Sequence, residues 1–148
     1  MKTFFPLFVD MCGKKVLVVG GGKIAEGRIK ILNGFGAEIT VISPKVTKYI
    51  KNTSVRLIKR KYKKGDISNL APFLVIAATD ERQANHRAMT EAKKLNINIS
   101  VADCKEECSC YFPAIADNDA YIAGLVSKNG NHAGVKKRIK KIRRILNR

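Results

Sequence analysis

Three small residues at fixed spacing, Gly20, Gly22 and Ala25, stand between a β-branched run and an amphipathic helical pattern. Glycines at such a turn let the backbone approach a pyrophosphate, and the helix that follows offers N–H donors and a positive dipole end. The pattern predicts a nucleotide site in which Lys23 and Ile24, in the first helical turn, also contact the ligand. A merely structural glycine turn is the alternative, but the position within a β-α-β unit of about 30 residues favours the nucleotide.

The end of the second predicted strand carries Ser43, Pro44 and Lys45. Dinucleotide sites usually have an acidic residue near this point, which binds the adenosine ribose. Ser43 is expected to cap a short helix over Lys45 to Lys51, with Pro44 in its first turn. A hydroxyl can serve as cap and ribose contact at once, so we assign all three residues to the cofactor site. Lys45 could meet a 2′-phosphate, which leaves NADP open beside NAD.

Thr79 and Asp80 follow an unbroken apolar run, which is typical of a strand covered on both faces. They are therefore expected at the carboxyl edge of the sheet, where open α/β sheets bind their ligands. Thr79 is predicted to contact the cofactor. Asp80 suits a helix cap paired with Gln83 as well as a cofactor contact. His86, further along the same helix, is interpreted as a solvated side chain.

Asp103 comes shortly after another predicted strand, Asn98 to Val101, and is expected at the same edge of the sheet. A carboxylate there can take a proton while a hydride leaves to a nicotinamide. Spacing alone favours the simpler alternative, a turn-forming aspartate.

Three of the four cysteines, Cys104, Cys108 and Cys110, crowd into one acidic stretch. Structural disulfides are therefore not expected. The spacing matches no zinc knuckle, and only His132 follows as a further possible ligand. We predict no metal site, and reduced thiols in a loop.

Hydrophobic periodicity places these residues on alternating strands and helices. Strands are predicted at Lys15–Val19, Glu38–Ile42, Val55–Ile58, Phe73–Ala78 and Asn98–Val101. Repeated strand-helix-strand units predict a parallel sheet wrapped by helices, which is an α/β, Rossmann-like fold.

The pattern changes beyond Asp103, because the strand-like stretch Tyr121 to Val126 does not fit another strand-helix repeat. Apolar residues then recur at helical spacing from Val135 to Leu146 among many lysines and arginines, which predicts a basic amphipathic helix. The expected division is a nucleotide-binding domain over 1–110, an arm over 111–134 and a basic C-terminal helix over 135–148.

The composition fits one strongly basic domain: 148 residues carry 29 Lys plus Arg against 12 Asp plus Glu, a net charge of +17. With 45% hydrophobic residues the chain can fill a core, which excludes complete disorder. No apolar run approaches the roughly 18 to 20 residues of a membrane span, and Pro6 and Asp10 keep the first run below signal-peptide length. A cytoplasmic protein is expected. The charge favours a polyanionic partner, which could be nucleic acid, an anionic membrane surface or a small molecule with several carboxylates or phosphates.

Taken together, these motifs resemble the precorrin-2 dehydrogenase family, which includes the amino-terminal module of siroheme synthases. The resemblance covers nearly the whole chain. The matching segments occur in the same order as in the family. They are Phe5–Asp10, Lys15–Glu26, Leu74–Asp80, Asn85, Val101, Asp103, Cys108–Ser109, Phe112–Ala114, Val126–Ser127 and Asn129–Gly130.

The resemblance implies NAD-dependent oxidation of precorrin-2 to sirohydrochlorin, with Asp103 at the position of the family's essential aspartate. It also implies a homodimer in which residues 111–127 exchange between subunits. Iron or cobalt insertion is a second activity of some members. The predicted substrate-binding residues are Ser127, Lys128, Asn129 and His132, and precorrin-2, with eight carboxylates, suits a protein of charge +17.

The sequence departs from the family pattern at two places: Ser100 replaces a usual asparagine, and His132 with Ala133 replaces a usual Ser-Pro pair. The chain also stops at Arg148, where longer relatives continue into a helical domain. We therefore expect dehydrogenation as the main activity, without a nucleic-acid or membrane partner. The rival interpretation is a catalytically inactive NAD-binding module whose basic helix binds nucleic acid or an anionic surface.

Overall fold

The structure is a computed structural model and describes residues 3–147. It divides into two compact units, the first ending at Cys110 and the second beginning at Tyr111. The first unit holds a parallel sheet with helices, and the second holds a β-hairpin and one long helix. Within residues 3–147, every helix is too short or too polar to span a lipid bilayer.

The secondary structure alternates between strands and helices through the first unit. The elements are β1 (Lys15–Val19), α1 (Lys23–Gly34), β2 (Glu38–Ile42), α2 (Lys48–Lys51), β3 (Arg56–Ile58), α3 (Asp66–Leu70), β4 (Leu74–Ala77), α4 (Arg82–Lys94) and β5 (Asn98–Val101), then a 3-10 turn (Lys105–Glu107). The second unit contains β6 (Ala114–Asp117), β7 (Ile122–Leu125) and α5 (His132–Leu146).

The core of the first unit is a five-stranded parallel sheet in the order β3-β2-β1-β4-β5. Its central strand β1 is covered on both faces, since each residue from Val16 to Val19 is at most 1% exposed. Burial of such a side chain stabilises a fold by roughly 1.5–3 kcal/mol. The predicted α/β, Rossmann-like fold is confirmed, and β1, β2 and β5 have the predicted limits.

The helices that flank the sheet bury narrow apolar faces. Helix α4 buries Ala84, Ala88 and Ala92, which recur every four residues and so lie on one side of the helix. Helix α1 buries Ile29 and Leu32 in the same way. Apolar residues at helical spacing in the sequence mark these faces, but Leu95, which continues the spacing in α4, follows its last residue and is 41% exposed.

Two predicted helix starts are wrong. The helix after β2 begins at Lys48, where Thr47 accepts a hydrogen bond from Ile50 N, and not after Ser43 and Pro44. The Ser43 hydroxyl instead donates to the carbonyl of Lys45 at 2.6 Å, which holds a loop. Similarly, α4 begins at Arg82 after Glu81, so the predicted cap formed by Asp80 and Gln83 does not exist.

Two other local features differ from the sequence prediction. Helix α3 was not predicted, because its five residues are too few for a periodic signal. Its first turn is fixed by Glu91, whose carboxylate accepts from the backbone N–H groups of Gly65, Ile67 and Ser68. Residues 5–10, where the family resemblance implies a strand, form none in the structure.

The second unit packs a hairpin against a helix. Strands β6 and β7 are antiparallel and are joined by a turn in which Asn118 Oδ1 accepts from the N–H groups of Ala120 and Tyr121. Ala116 and Ile139 form its buried centre, at 0% and 6% exposure. The basic helix starts at His132, three residues before the predicted Val135, and ends at Leu146. Arg148, the last residue of the predicted helix, lies outside the described residues.

Candidate functional site

A cleft of about 400 Å³ opens at the carboxyl ends of β1, β2 and β4. The chain leaves β1 for β2 on one side and reaches β4 on the other, so the strand order reverses beside β1. Such a reversal is where open α/β sheets bind ligands. The structure brings seven of the predicted cofactor residues together here: Gly20, Gly22, Ser43, Pro44, Lys45, Thr79 and Asp80.

The turn after β1 requires glycine at two neighbouring positions, Gly20 and Gly21. Gly20 has φ +116°, and a Cβ there would lie 2.2 Å from the carbonyl oxygen of Ala78. A Cβ on Gly21 would lie 2.3 Å from the carbonyl oxygen of Lys45. The turn is therefore packed between the segments that follow β4 and β2, and a side chain at either position would push them apart.

Gly22 serves a third purpose, because it faces open space. A Cβ built there meets no atom of residues 3–147 within 4 Å, and Gly22 is the residue directly before α1. An uncovered helix N-terminus beside a glycine is a favourable place for a phosphate, which accepts the first-turn N–H groups. Lys23 and Ile24, which are predicted to contact the cofactor, occupy this first turn and are exposed. Neither is among the residues that line the cleft.

The first turn of α1 is anchored by Glu26, a buried carboxylate. Lys30 Nζ donates to it at 2.7 Å, and Lys23 Nζ lies 3.7 Å away. The pKa of Glu26 is lowered from 4.5 to about 2, chiefly by the hydrogen bond from Lys30 and then by one from Thr47. Glu26 is thus ionised at neutral pH and ties α1 to the α2 side of the cleft.

The loop after β4 is held by a side-chain clasp. Asn85, which is fully buried on α4, accepts from the Thr79 backbone N–H at 3.0 Å and donates to the Thr79 carbonyl at 3.0 Å. The Thr79 hydroxyl lies 2.9 Å from the same Asn85 oxygen. Thr79 therefore has a structural role that the sequence did not reveal, and its position at the cleft is fixed.

The walls of the cleft carry charges of both signs. Lys45, Lys61 and Arg87 line it together with Asp80 and Glu81. Lys61, from the loop after β3, donates to the carboxylate of Glu81 before α4, and this contact lowers the pKa of Glu81. The ion pair links the loops that follow β3 and β4 at the mouth of the cleft.

Asp103 lies beyond the residues that line the cleft but on the same sheet edge. Val101 pairs with Ala77 at the ends of β5 and β4, and the next residue, Ala102, donates its N–H to the Ala77 carbonyl at 2.9 Å. The carboxylate of Asp103 is partly exposed, and its Oδ1 lies 3.6 Å from Nη1 of Arg82.

An ion-pair cluster beside Asp103 was missed by the sequence interpretation. Arg82 Nη2 donates to Oε1 of Glu107, and His86 Nδ1 lies 2.7 Å from the same oxygen. Burial raises the pKa of Glu107, but hydrogen bonds from Arg82 and His86 outweigh it and the net pKa is lowered. His86 is therefore a partner of Glu107 and not simply solvated. His86 follows Arg82 by four residues, so the two side chains lie on the same side of one helix. This spacing could have indicated from the sequence that they share a partner.

The segment after β5 folds back onto that strand and so carries Glu107 to α4. Ser109 N–H donates to the Ile99 carbonyl at 2.9 Å, and the Cys108 sulfur lies 3.1 Å from Val101 N. No disulfide joins any two of the four cysteines, and burial raises the pKa of Cys110 to about 11. Among residues 3–147, the acids, histidines and cysteines form no group suited to a metal ion.

The predicted substrate-binding residues all belong to the second unit. Ser127 and Asn129 share a 2.6 Å hydrogen bond, and Ser127 Oγ also accepts from Asn131 N–H at 2.8 Å. Lys128 is exposed in this turn. His132 is the first residue of α5, whereas the sequence prediction placed it in the arm before that helix.

The site fits a dinucleotide. The space at Gly22 would accommodate a pyrophosphate that any side chain would displace, and the neighbouring cleft reaches from the loop after β2 to the loop after β4. Strand order, glycine turn and cleft together define a dinucleotide-binding α/β domain.

Comparison with known proteins places this domain in a family. Residues 7–114 match the family model described as "Putative NAD(P)-binding", and the chain belongs to that family. The predicted class of cofactor, a nicotinamide dinucleotide, is confirmed, and so is the predicted resemblance to siroheme synthases.

Several relatives are long proteins of siroheme biosynthesis. The chain is 49% identical over 146 residues to the "Probable multifunctional siroheme biosynthesis protein HemA" of Ruminiclostridium josui, a match that covers 95% of this chain and 28% of the relative. It is 37% identical over 130 residues to the siroheme synthase of Psychrobacter arcticus, covering 85% of this chain and 23% of the relative. The chain thus spans about a quarter of the length of these relatives.

A solved structure supports the fold. The structure titled "SirC, precorrin-2 dehydrogenase" superimposes with a TM-score of 0.75 at 24% identity, over 94% of this chain and 69% of that one. At this identity the likeness establishes the fold alone.

Proposed function

We propose that this protein oxidises precorrin-2 to sirohydrochlorin with NAD, in the cytoplasm. The observation that carries the proposal is the pairing of Val101 with Ala77, which brings Asp103 out at the sheet edge where the dinucleotide cleft opens. The relatives named for siroheme biosynthesis support a tetrapyrrole substrate.

The chain's residues divide the work of holding NAD. The Gly20–Gly22 turn and the first-turn N–H groups of Lys23 and Ile24 would bind the pyrophosphate. Ser43, Pro44 and Lys45, at the end of β2, would contact the adenosine ribose. Thr79 and Asp80, at the end of β4, would lie along the path toward the nicotinamide.

Asp103 is the proposed proton acceptor. Precorrin-2 loses one hydride and one proton on oxidation, and bound NAD supplies the chemistry by accepting the hydride. The Asp103 carboxylate would take the proton, which is then released to water because the side chain is partly exposed.

The positive charge of the second unit suits the substrate. Helix α5 presents basic residues on most of its surface, and Ile139 is its one buried residue among those described. Cationic side chains would attract and bind the eight carboxylates of precorrin-2. We assign Ser127, Lys128, Asn129 and His132 to the same task.

A homodimer is part of the proposal. Strands β6 and β7 have no further strand beside them among the described residues, so their outer backbone N–H and C=O groups are open to pairing with another strand. Tyr121 and Ile122 are 68% and 42% exposed on this hairpin. Pairing of residues 111–127 with a second copy would cover them, and sedimentation equilibrium would detect the dimer.

The decisive experiment mixes the protein with precorrin-2 and NAD without oxygen and follows the spectrum of sirohydrochlorin. We expect turnover by the wild type, and at least a 100-fold loss (about 2.7 kcal/mol) in Asp103→Asn with NAD affinity unchanged. Ferrous or cobaltous ion added afterwards tests metal insertion. A protein that binds NAD and duplex DNA tightly but leaves precorrin-2 unchanged would instead be the inactive binding module, which the named relatives do not favour.

A further inference from the structure

The geometry around Asp103 assigns a role to a residue outside the predicted site. We propose that Arg82, braced by Glu107, is a positioning residue that holds the Asp103 carboxylate toward the cofactor edge of the sheet. This inference rests on the proposed function, because it concerns the group that would accept the proton.

Arg82 bridges two carboxylates from separate parts of one loop. Nη1 lies 3.6 Å from Oδ1 of Asp103, while Nη2 donates to Oε1 of Glu107. The planar guanidinium can donate to both carboxylates at once through its two terminal nitrogens, whereas a lysine ammonium is a single point charge on a flexible side chain. Arg82 is the first residue of α4, so its backbone is fixed by the helix.

Glu107 is the rigid end of this bridge. Its side chain is 14% exposed, against 46% for Arg82 and 35% for Asp103. His86 contacts the oxygen that Arg82 also contacts, and Oε2 is buried with no hydrogen-bond partner among residues 3–147. Burial and two basic partners therefore restrict the motion of the Glu107 side chain. The contact with Glu107 in turn fixes the orientation of the Arg82 guanidinium.

The bridge matters more for orientation than for stability. An exposed ion pair contributes little to folding, because water solvates both partners and screens the charges. The reaction rate is far more sensitive to the position of the reacting carboxylate, since misplacement by about 1 Å can lower the rate on the order of 100-fold. Without Arg82, the Asp103 side chain would sample several rotamers, and the carboxylate would spend less time in the one position that Arg82 selects.

The test compares Arg82→Gln with a charge-matched control. Arg56→Gln removes the same charge from an exposed arginine at the start of β3, on the opposite edge of the sheet. In Arg82→Gln we expect kcat to fall roughly 10- to 100-fold with KM for precorrin-2 and affinity for NAD within about twofold of wild type. Arg56→Gln should keep both parameters. A rise in KM with unchanged kcat would overturn the proposal, because it would mean that Arg82 binds substrate.

A double-mutant cycle separates positioning from general damage. If Arg82 acts through Asp103, Arg82→Gln costs less than about twofold once Asp103 is already asparagine. An equal loss in both backgrounds would overturn the proposal even if Asp103 itself is essential.

Crystal structures give a readout without turnover. We expect one Asp103 rotamer, paired with Arg82, in the wild type and several in Arg82→Gln. An unchanged single rotamer in the variant would overturn the positioning role. Failure of the wild type to oxidise precorrin-2 would instead refute the proposed function, and the rotamer comparison would still decide whether Arg82 orients Asp103.

Discussion

Ala77 and Val101 are direct register partners at the carboxyl ends of β4 and β5, and the N–H of Ala102 extends their pairing by one more hydrogen bond of 2.9 Å. The two chains therefore leave the sheet together. Thr79 and Asp103, each two residues further on, depart from the same edge. This relationship links the cofactor cleft to the proposed proton acceptor.

Gly22→Val is expected to weaken cofactor binding without unfolding the protein. A Cβ at this position meets open space, and the isopropyl group would occupy the volume that a pyrophosphate needs. NAD affinity should fall at least about tenfold, which is 1.4 kcal/mol or more. Calorimetric titration measures this, and wild-type affinity in the variant would show that the pyrophosphate does not bind at this turn.

Gly20→Ala should act in the opposite way and damage the fold. Its φ of +116° is unfavourable for alanine, and the new Cβ would lie 2.2 Å from the Ala78 carbonyl oxygen. We expect a loss of about 2 kcal/mol or more in the free energy of unfolding, measured in urea. Gly22→Ala is the matched control, since its φ of −82° suits alanine, and it should change stability by less than about 0.5 kcal/mol. Similar losses in the two variants would contradict the different roles assigned to these glycines.

The lowered pKa of Glu26 predicts that this residue contributes to the loss of folding stability in acid. Its folded-state pKa of about 2 lies below the ordinary 4.5, so its stabilising contribution is fully present above about pH 4.5 and is lost as pH falls through 2. Glu26→Gln lacks this titration. The stability gap between wild type and variant should therefore be constant near neutrality and shrink between pH 4.5 and 2. Urea unfolding across that range measures the gap, and a constant gap would remove Glu26 from the acid response.

The strands and the glycine turn could be predicted because local sequence determines them. The buried run of β1 and its glycines carry their own signal within ten residues. The bridge through Arg82 could not be predicted, because it depends on the fold-back that bonds Ser109 N–H to the Ile99 carbonyl. Similarly, the structural role of Thr79 depends on Asn85 in the following helix, which gives no signal of burial in a single sequence. Local patterns thus located the glycine turn, while contacts between separate segments determined the surroundings of Asp103.

Helix α5 is expected to contribute charge to substrate binding. Lys137, Lys141 and Arg144 are exposed and lie along one side of the helix. Replacing all three by glutamine should raise KM for precorrin-2 roughly 3- to 150-fold, because each exposed ion pair contributes about 0.2–1 kcal/mol and three together contribute about 0.6–3 kcal/mol. The rate constant kcat should change little, since the substitutions leave Asp103 and the cleft intact.

The control for that prediction removes the same charge elsewhere. Arg56, Lys93 and Lys94 are exposed at the amino edge of the sheet, far along the strands from the cleft. Their triple glutamine variant should keep KM within about twofold if local charge matters, and KM should remain as salt-dependent as in the wild type. The α5 variant should lose part of that salt dependence, because fewer cations near the substrate are screened. Equal rises in KM for both triple variants would mean that net charge attracts the substrate and that α5 has no particular share in binding it.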